Sequence, residues 1–225
     1  VFWLNKLHAE RDAFVEDAIA VLDDAGVETA VVAAWSVGVT VAFELAVRFP
    51  ERVSGILAVA GVPGNTFSTM LAPLHVPRPV ARLLMTNVAR ITTVAGHPVA
   101  PLTRRLPWTN LTANMLRHSR FINPAADTAE VRDLMQEFFT THPAWYAKLA
   151  LSVSEHERVP LSSIRVPVTF LAGSFDVFTS AQDMLSASQR IKHSRYRRLE
   201  ATHFLPVEQP AEVLRELHHL VDETR

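Results

Sequence analysis

Three residue types that can together perform acyl transfer occur along the chain in the order Ser36, Asp176 and His203. A serine hydroxyl is a poor nucleophile unless a base removes its proton and the backbone presents it. Ser36 lies in the middle of the segment from Ala34 to Gly38, between an apolar run and a helical pattern. The small residues two before and two after the serine allow the chain to pass close to itself there. The segment therefore predicts a tight strand–turn–helix that presents Ser36.

The residues on either side of Ser36 have predicted roles of their own. The turn places Ser36 at a helix N-terminus, where the backbone amide of Val37 can donate to a developing oxyanion. Trp35 and Val37 flank the serine and are candidates for shaping a substrate pocket. We therefore expect Val37 to serve as an oxyanion donor and Trp35 to line the pocket.

Asp176 and His203 each follow a predicted strand. Asp176 ends the turn after the apolar run 167–172, and His203 lies in the loop after the next predicted strand, 195–199. The two residues are 27 positions apart, which one strand–helix–strand unit fills. Both are therefore expected at the carboxyl ends of neighbouring strands, where the catalytic groups of open α/β sheets collect.

Other interpretations of these residues stay open at this point. Ser36 fits a plain helix N-cap, and Asp176 fits a turn or capping residue. Asp183 is a weaker candidate for the acid, since it lies inside a predicted helix. The remaining histidines lie mostly on predicted helices, and none forms a metal-binding spacing such as H-E-x-x-H. The sequence therefore predicts neither a metal nor a cofactor.

The segment around Ser36 resembles the nucleophile elbow of the α/β-hydrolase family, written G-x-S-x-G, with Ala34 in place of the first glycine. The family also has its triad in the order serine, acid, histidine. Gly173 to Asp176 resembles the strand-end G-x-x-D of that family. Ala201 to Pro206 resembles its late histidine loop, including the Glu208 that follows.

This resemblance implies a Ser-His-Asp mechanism. In it, His203 takes the proton from Ser36, and Asp176 fixes the imidazole tautomer and stabilises its cation. The implied fold is an α/β fold with a mostly parallel sheet flanked by helices and with an inserted helical cap.

Apolar periodicity predicts the elements that must position these residues. Helices are expected over 8–25, 37–48, 180–191 and 209–223, and strands over 27–35, 53–60, 167–172 and 195–199. This rhythm indicates a parallel sheet built of βαβ units. Between Pro63 and Pro160 the pattern is helical, for example over 80–95 and 128–140, with no convincing strand. We therefore predict a core of residues 1–62 and 160–225 and a helical cap or lid of residues 63–159.

Part of the family pattern has no counterpart in these 225 residues. Residues 8–25 resemble the helix just before the nucleophile strand, so the preceding strands and the loop with the second oxyanion donor are unassigned. The chain starts at Val1 and holds only seven glycines, which fits an N-terminally incomplete hydrolase. Strand 27–35 would then be an unpaired apolar edge. We expect association of two copies, a homo-oligomer, through that edge.

Composition excludes several classes of protein. The formal net charge is −1, whereas a nucleic-acid binder usually shows a basic excess. Cysteine is absent, so disulfides and thiolate metal sites are ruled out. The most apolar stretch, 29–43, is too short for a membrane span, which takes about 20 residues. No secretory signal is visible, and the expected location is the cytoplasm.

The leading functional prediction is a serine hydrolase, an esterase that acts on an ester or related acyl compound. Aromatic residues of the cap, such as Phe121 and Phe139, indicate a fairly apolar substrate if they line a pocket, although they fit core packing as well. Relatives with the same triad include carbon–carbon bond hydrolases and cofactor-free haloperoxidases. A second hypothesis is a non-catalytic, truncated hydrolase-fold protein. Epoxide hydrolases and haloalkane dehalogenases are disfavoured, because they carry aspartate where this chain has Ser36.

Overall fold

The computed structural model describes residues 2–64, 66–71, 74–119, 121–154 and 159–225, with side chains described from residue 13 onward. The helices are α1 (Phe2–Asp24), α2 (Gly38–Arg48), α3 (Thr66–Thr69), α4 (Arg78–Thr103), α5 (Asn110–His118), α6 (Thr128–Thr140), α7 (Pro143–Ser154), α8 (Ala181–Ser188), α9 (Leu205–Glu208) and α10 (Pro210–Glu223). The strands are β1 (Ala30–Trp35), β2 (Val53–Val59), β3 (Val168–Gly173) and β4 (Ser194–Leu199). Short 3-10 turns occupy Pro50–Arg52 and Leu161–Ser163.

The four strands form one parallel sheet in the order β1-β2-β3-β4. The predicted α/β class is therefore confirmed. In β2, alternate residues face opposite layers, with Ile56 in the core under α2 and α8 and Leu57 in the core under α10. A strand covered on both faces is apolar throughout, which explains the uninterrupted apolar runs in the sequence.

Some predicted element boundaries shift. The predicted strand 27–35 begins only at Ala30, and the turn that closes α1 extends to Val27. Gly26 adopts a φ of +64°, and the amide of Val27 donates to the carbonyl of Leu22 at 2.9 Å. This is a glycine-terminated helix end of the usual kind. Helix α1 also begins at Phe2, six residues earlier than the prediction.

The largest boundary difference is in α4, which was predicted over 80–95 and extends to Thr103 with Pro98 and Pro101 inside it. Proline normally ends a helix because it removes a backbone donor and crowds the preceding turn. Tertiary packing overrides that preference here. A β-carbon added to Gly96 would lie 2.6 Å from the backbone nitrogen of Ala144, so α4 and α7 pack with their backbones nearly in contact.

Every element that the structure describes between residues 66 and 154 is helical, as the sequence predicted. Helices α5 and α6 share a small core around Ile122 and Val131, both fully buried. The division into a core and a cap stays a prediction. None of the described helices has both the length and the apolar character needed to cross a membrane.

Strand β1 forms one edge of the sheet. Among the described residues it pairs with β2 alone, in a register that sets Ala34 beside Ala58. Ala33, in the middle of the strand, is exposed. The outer row of β1 amides and carbonyls is thus unpaired in the part of the chain that the structure describes.

Candidate active site

Ser36 occupies the turn between β1 and α2 in a strained backbone conformation. Its φ is +56°, a left-handed value that costs a non-glycine residue about 1–3 kcal/mol. The amide of Ser36 donates to the carbonyl of Val59 at 2.9 Å, and its carbonyl accepts from the amide of Val39 at 3.1 Å. The serine is therefore fixed between the end of β2 and the first turn of α2, with its hydroxyl projecting from the turn.

The close approach at this turn lies at a residue that the sequence prediction did not single out. A β-carbon added to Gly38 would meet only the β-carbon of Ala34, at an ordinary 3.9 Å. A β-carbon added to Gly61 would instead lie 2.4 Å from the carbonyl oxygen of Ser36 and 2.5 Å from a methyl group of Val39. The only sequence signal was a glycine directly after the apolar strand 53–60.

The three residues predicted to act together are joined by hydrogen bonds. The Oγ of Ser36 lies 2.8 Å from Nε2 of His203, and Nδ1 of His203 lies 2.9 Å from Oδ2 of Asp176. Asp176 is 2% exposed and His203 is 9% exposed, whereas Ser36 is only half-buried. This geometry allows the carboxylate to orient the imidazole so that the second ring nitrogen faces the serine hydroxyl as a proton acceptor.

Backbone amides hold the carboxylate of Asp176. Its Oδ1 accepts from the amides of Phe178 and Thr179, both at 2.8 Å, which leaves Oδ2 for His203. The hydroxyl of Thr179 in turn donates to the carbonyl of Ala60 at 3.1 Å, at the end of β2. Asp176 is thus fixed to the same strand end that supports Ser36.

The weaker candidate for the acid lies elsewhere. Asp183 is in the first turn of α8, and its carboxylate is 2.5 Å from the guanidinium of Arg78. It makes no hydrogen bond with His203, whose Nδ1 bonds Asp176.

Aromatic side chains surround the imidazole of His203. Its ring centroid lies 5.1 Å from that of Phe178 and 5.9 Å from that of Phe204, both edge-on. The indole of Trp35 donates from Nε1 to the carbonyl of His203 at 2.8 Å. Trp35 thus contacts the histidine loop through a hydrogen bond, and its predicted place in a substrate pocket stays a prediction.

A half-buried carboxylate, that of Glu208, also holds the histidine loop. Oε2 of Glu208 accepts from the amide of Thr202 at 2.7 Å, and Oε1 accepts from the hydroxyl of Thr202 at 2.5 Å. The same Oε1 accepts from the amide of Asn123, which lies in the helical region, at 2.9 Å. The sequence places Glu208 in the histidine-loop motif but does not predict this contact, because Asn123 is 85 positions away.

The amide of Val37 lies directly after the strained serine. Within the described residues, no backbone carbonyl accepts a hydrogen bond from it, whereas the carbonyl of Val37 accepts from Thr40 at 3.1 Å in the first turn of α2. Its position next to the Ser36 hydroxyl is the one the sequence predicted, and its role as an oxyanion donor stays a prediction.

One aromatic residue of the helical region reaches the site. Phe121 lies 5.6 Å from Phe178 and 5.5 Å from Phe204, ring to ring. Other aromatics of that region contact one another instead, as in the stacked pair Trp108 and Phe139. Among the described residues, the structure contains no group of three or more His, Asp or Glu side chains arranged to hold a metal ion.

Solved structures that resemble this chain are enzymes with low sequence identity. They include a thermophilic esterase from Thermogutta terrifontis, with a TM-score of 0.64 and 18% identity over 95% of this chain and 72% of that one. The putative non-heme bromoperoxidase BpoC from Mycobacterium tuberculosis has a TM-score of 0.63 and 18% identity, covering 96% and 75%. The enol-lactonase from Burkholderia xenovorans has a TM-score of 0.63 and 15% identity, covering 94% and 73%.

These structural similarities identify the fold of the chain. Another similar structure is described as an alpha/beta hydrolase enzyme from a deep-sea metagenome, with a TM-score of 0.61 and 14% identity over 94% of this chain and 71% of that one. The chain therefore has the α/β-hydrolase fold, as the resemblance implied. No family model matches the sequence, and no curated protein matches it either.

Proposed function

We propose that the protein is a serine hydrolase that cleaves an ester or a related acyl compound through an acyl-enzyme intermediate. The observation that carries the proposal is the hydrogen-bonded chain from Ser36 Oγ through His203 to Asp176, at 2.8 and 2.9 Å, on a serine held at a left-handed φ. The fold supports it, because solved proteins of this architecture include an esterase and an enol-lactonase.

The proposed reaction has two halves. In the first, His203 Nε2 accepts the hydroxyl proton of Ser36 while Oγ attacks the substrate carbonyl, and the amide of Val37 donates to the resulting oxyanion. The imidazolium then gives its proton to the leaving alcohol as the carbonyl–oxygen bond breaks. In the second half, His203 accepts a proton from water, the hydroxide attacks the acyl-enzyme, and Ser36 recovers its proton as the acid leaves.

Asp176 contributes through the charge and orientation of the imidazole. Its Oδ2 accepts from Nδ1, which leaves Nε2 as the acceptor that faces Ser36. The carboxylate also stabilises the imidazolium that forms in each half-reaction. Phe178 and Phe204 beside His203, with Phe121 packed against both, favour a substrate with an apolar acyl or alcohol group.

The test measures p-nitrophenyl ester turnover and covalent labelling by a fluorophosphonate probe. Wild type is expected to turn over the ester and to be labelled at Ser36. Ser36→Ala should lose labelling and several orders of magnitude in kcat. The control is Ser163→Ala, since the Ser163 hydroxyl bonds only to the carbonyl of Pro160.

Equal rates for wild type and Ser36→Ala would contradict the proposal. A folded wild-type chain that neither turns over esters nor reacts with the probe would instead favour a non-catalytic hydrolase-fold protein. Labelling at Ser36 without turnover of any ester would favour carbon–carbon bond hydrolysis or haloperoxidase chemistry at the same triad.

A further inference from the structure

Helix α4 exposes its large apolar side chains and buries its small ones. The buried side chains are those of Ala81, Ala89, Gly96 and Ala100. The outward-facing apolar residues, which we call the α4 face, are between 42% and 74% exposed: Val80, Leu83, Leu84, Val88, Ile91, Val94, Val99 and Leu102. An amphipathic helix at the surface of a globular protein normally has the opposite arrangement.

The α4 face is continuous along the helix. At 3.6 residues per turn, Val80, Leu84 and Ile91 lie on one side, opposite the small residues that contact α7. The 26 residues of α4 make the helix about 39 Å long. Apolar area of this extent on a surface marks an interaction site.

The charged residues in the segment of sequence that contains α4 are of one sign. The 75 residues from Arg52 to Ala126 contain no Asp, Glu or Lys and eight Arg. On and just after α4, Arg82, Arg90 and Arg105 are exposed, and no ion pair joins them to a carboxylate among the described residues. Arg78 is different, since it pairs with Asp183.

This charge pattern favours an anionic partner over a second copy of the chain. A second copy seated on the α4 face would bring two acid-free, arginine-bearing segments together, and like charges across an interface are unfavourable. An anionic lipid surface can bury the apolar side chains of the α4 face and also bind the exposed arginines. Basic residues beside an apolar helical face are the signature of helices that lie in the plane of a membrane surface.

We propose that α4 docks the protein on an anionic lipid surface. The α4 face enters the boundary between headgroups and acyl chains, while Arg90 on the flank of α4 and Arg105 just after it extend to the lipid phosphates. The proposal concerns a surface apart from the Ser36 site and stands independently of the proposed function.

The first test is co-sedimentation of the full chain with vesicles. We expect binding to vesicles of phosphatidylcholine mixed with phosphatidylglycerol, and little binding to phosphatidylcholine alone. Raising the NaCl concentration should weaken the binding several-fold, because salt screens the arginine–phosphate attraction.

Substitutions on and just after α4 separate the two contributions. The pair Ile91→Gln and Val94→Gln removes apolar area, and the pair Arg90→Gln and Arg105→Gln removes charge. Each pair is expected to weaken binding to the mixed vesicles about tenfold. All four side chains are exposed, so the fold should be retained, which circular dichroism checks.

Matched controls lie outside the acid-free segment. Leu214→Gln removes an apolar side chain of similar exposure, 52%, on α10. Arg190→Gln removes an exposed arginine after α8. Both controls should bind the mixed vesicles as wild type does. In a second measurement, the difference in indole fluorescence between Ile91→Trp and wild type, which has four tryptophans, should shift to the blue on addition of mixed vesicles only.

Four outcomes would overturn the proposal. The first is absence of binding to mixed vesicles, and the second is equal binding by wild type and both α4 pairs. The third is an oligomer in lipid-free solution that the α4 pairs dissociate, which would assign the face to a second copy. The fourth is a blue-shifted, iodide-protected indole in lipid-free Ile91→Trp, which would show that another segment of protein already covers the face.

Discussion

Gly61 and Ser36 touch through their backbones. A β-carbon at position 61 would lie 2.4 Å from the carbonyl oxygen of Ser36, a distance that real β-carbons essentially never show. The end of β2 therefore passes under the nucleophile turn only because residue 61 has no side chain. The same strand end supports Asp176, since the carbonyl of Ala60 accepts from Thr179, whose amide donates to the Asp176 carboxylate.

Gly61→Ala is expected to displace the Ser36 turn and to lower both stability and activity. Inserting a methyl group against backbone costs about 1–3 kcal/mol of unfolding free energy. Ester turnover should fall by more than tenfold, because small misplacements of a nucleophile are costly. Denaturant unfolding and p-nitrophenyl ester kinetics measure the two effects.

Gly38→Ala is the matched control for that substitution. It adds the same methyl group to the same turn, where the nearest contact is an ordinary 3.9 Å. Alanine is also the better helix former, by roughly 0.8–1 kcal/mol in a helix interior. Gly38→Ala should therefore be neutral or slightly stabilising. If both substitutions had equal effects, the assigned role of Gly61 would be wrong.

The sequence predicted the sheet and the hydrogen-bonded residues well, because both signals are local. The sequence predicted all four described strands, three of them from largely apolar runs, and only β1 began more than one residue from its predicted start. Ser36, Asp176 and His203 follow strands in a parallel sheet, so their strand ends must share one edge. That placement alone brings the three side chains together.

What the sequence could not predict depends on contacts between distant residues. Gly61 matters only because Ser36 lies above it, and Glu208 matters because Asn123 reaches it from another part of the fold. Helix α4 continues through Pro98 because Gly96 packs against α7. Local propensity carries no information on such contacts.

Asp176→Asn is expected to lower kcat on esters by a factor on the order of 10³–10⁴ with the fold intact. The substitution keeps an oxygen for the amides of Phe178 and Thr179 but removes the negative charge beside His203. Asp183→Asn is the control, because Asp183 bonds Arg78 instead. Comparable losses for the two variants would reject Asp176 as the acid of the triad.

Glu208→Gln is expected to act through the position of His203. The carboxylate of Glu208 accepts three hydrogen bonds, from the amide and hydroxyl of Thr202 and from the amide of Asn123. The NH₂ group of glutamine is a hydrogen-bond donor and cannot accept from Thr202 or Asn123. The substitution therefore disturbs the loop next to His203. We expect kcat to fall about tenfold with little change in KM.

Two further measurements distinguish positioning from lost stability. Glu212→Gln removes a nearby carboxylate that pairs with Arg197 and Arg215, outside the histidine loop, and should leave kcat unchanged. Glu208→Asp keeps the charge and should recover part of the lost kcat. A change in unfolding free energy with unaltered kcat would mean that Glu208 has a structural role only.

Glu216→Gln is expected to destabilise the packing of α10 against β4. Glu216 is 1% exposed, and its carboxylate lies 2.5 Å from Arg197 and 3.0 Å from Arg195. Its hydrogen bond is the main reason that the pKa of Arg197 lies above the usual value. Because both arginines are partly exposed, we expect a loss of about 1–3 kcal/mol in urea unfolding.

Asp222→Asn provides the comparison on the same helix. Asp222 lies 3.6 Å from Arg225, and both side chains are more than 70% exposed. Exposed pairs of this kind contribute little to stability. If the unfolding free energy of Glu216→Gln is as high as that of Asp222→Asn, the ion pairs of Glu216 with Arg195 and Arg197 do not hold α10 in place.

We propose that the isolated chain self-associates through the β1 edge. Strand β1 is uncharged from Ala30 to Trp35, lacks proline, and pairs with β2 alone among the described residues. Such an edge is a template for pairing with another strand. Light scattering after size exclusion should therefore show a dimer or larger species at micromolar concentration.

Ala33→Lys tests this edge directly. A charge on an exposed edge strand opposes strand addition, so the variant should shift the population to monomer. Leu214→Lys, on α10 and away from the edge, should leave the oligomer unchanged. A wild-type chain that is monomeric and melts cooperatively, or an oligomer that Ala33→Lys does not weaken, would contradict association through β1.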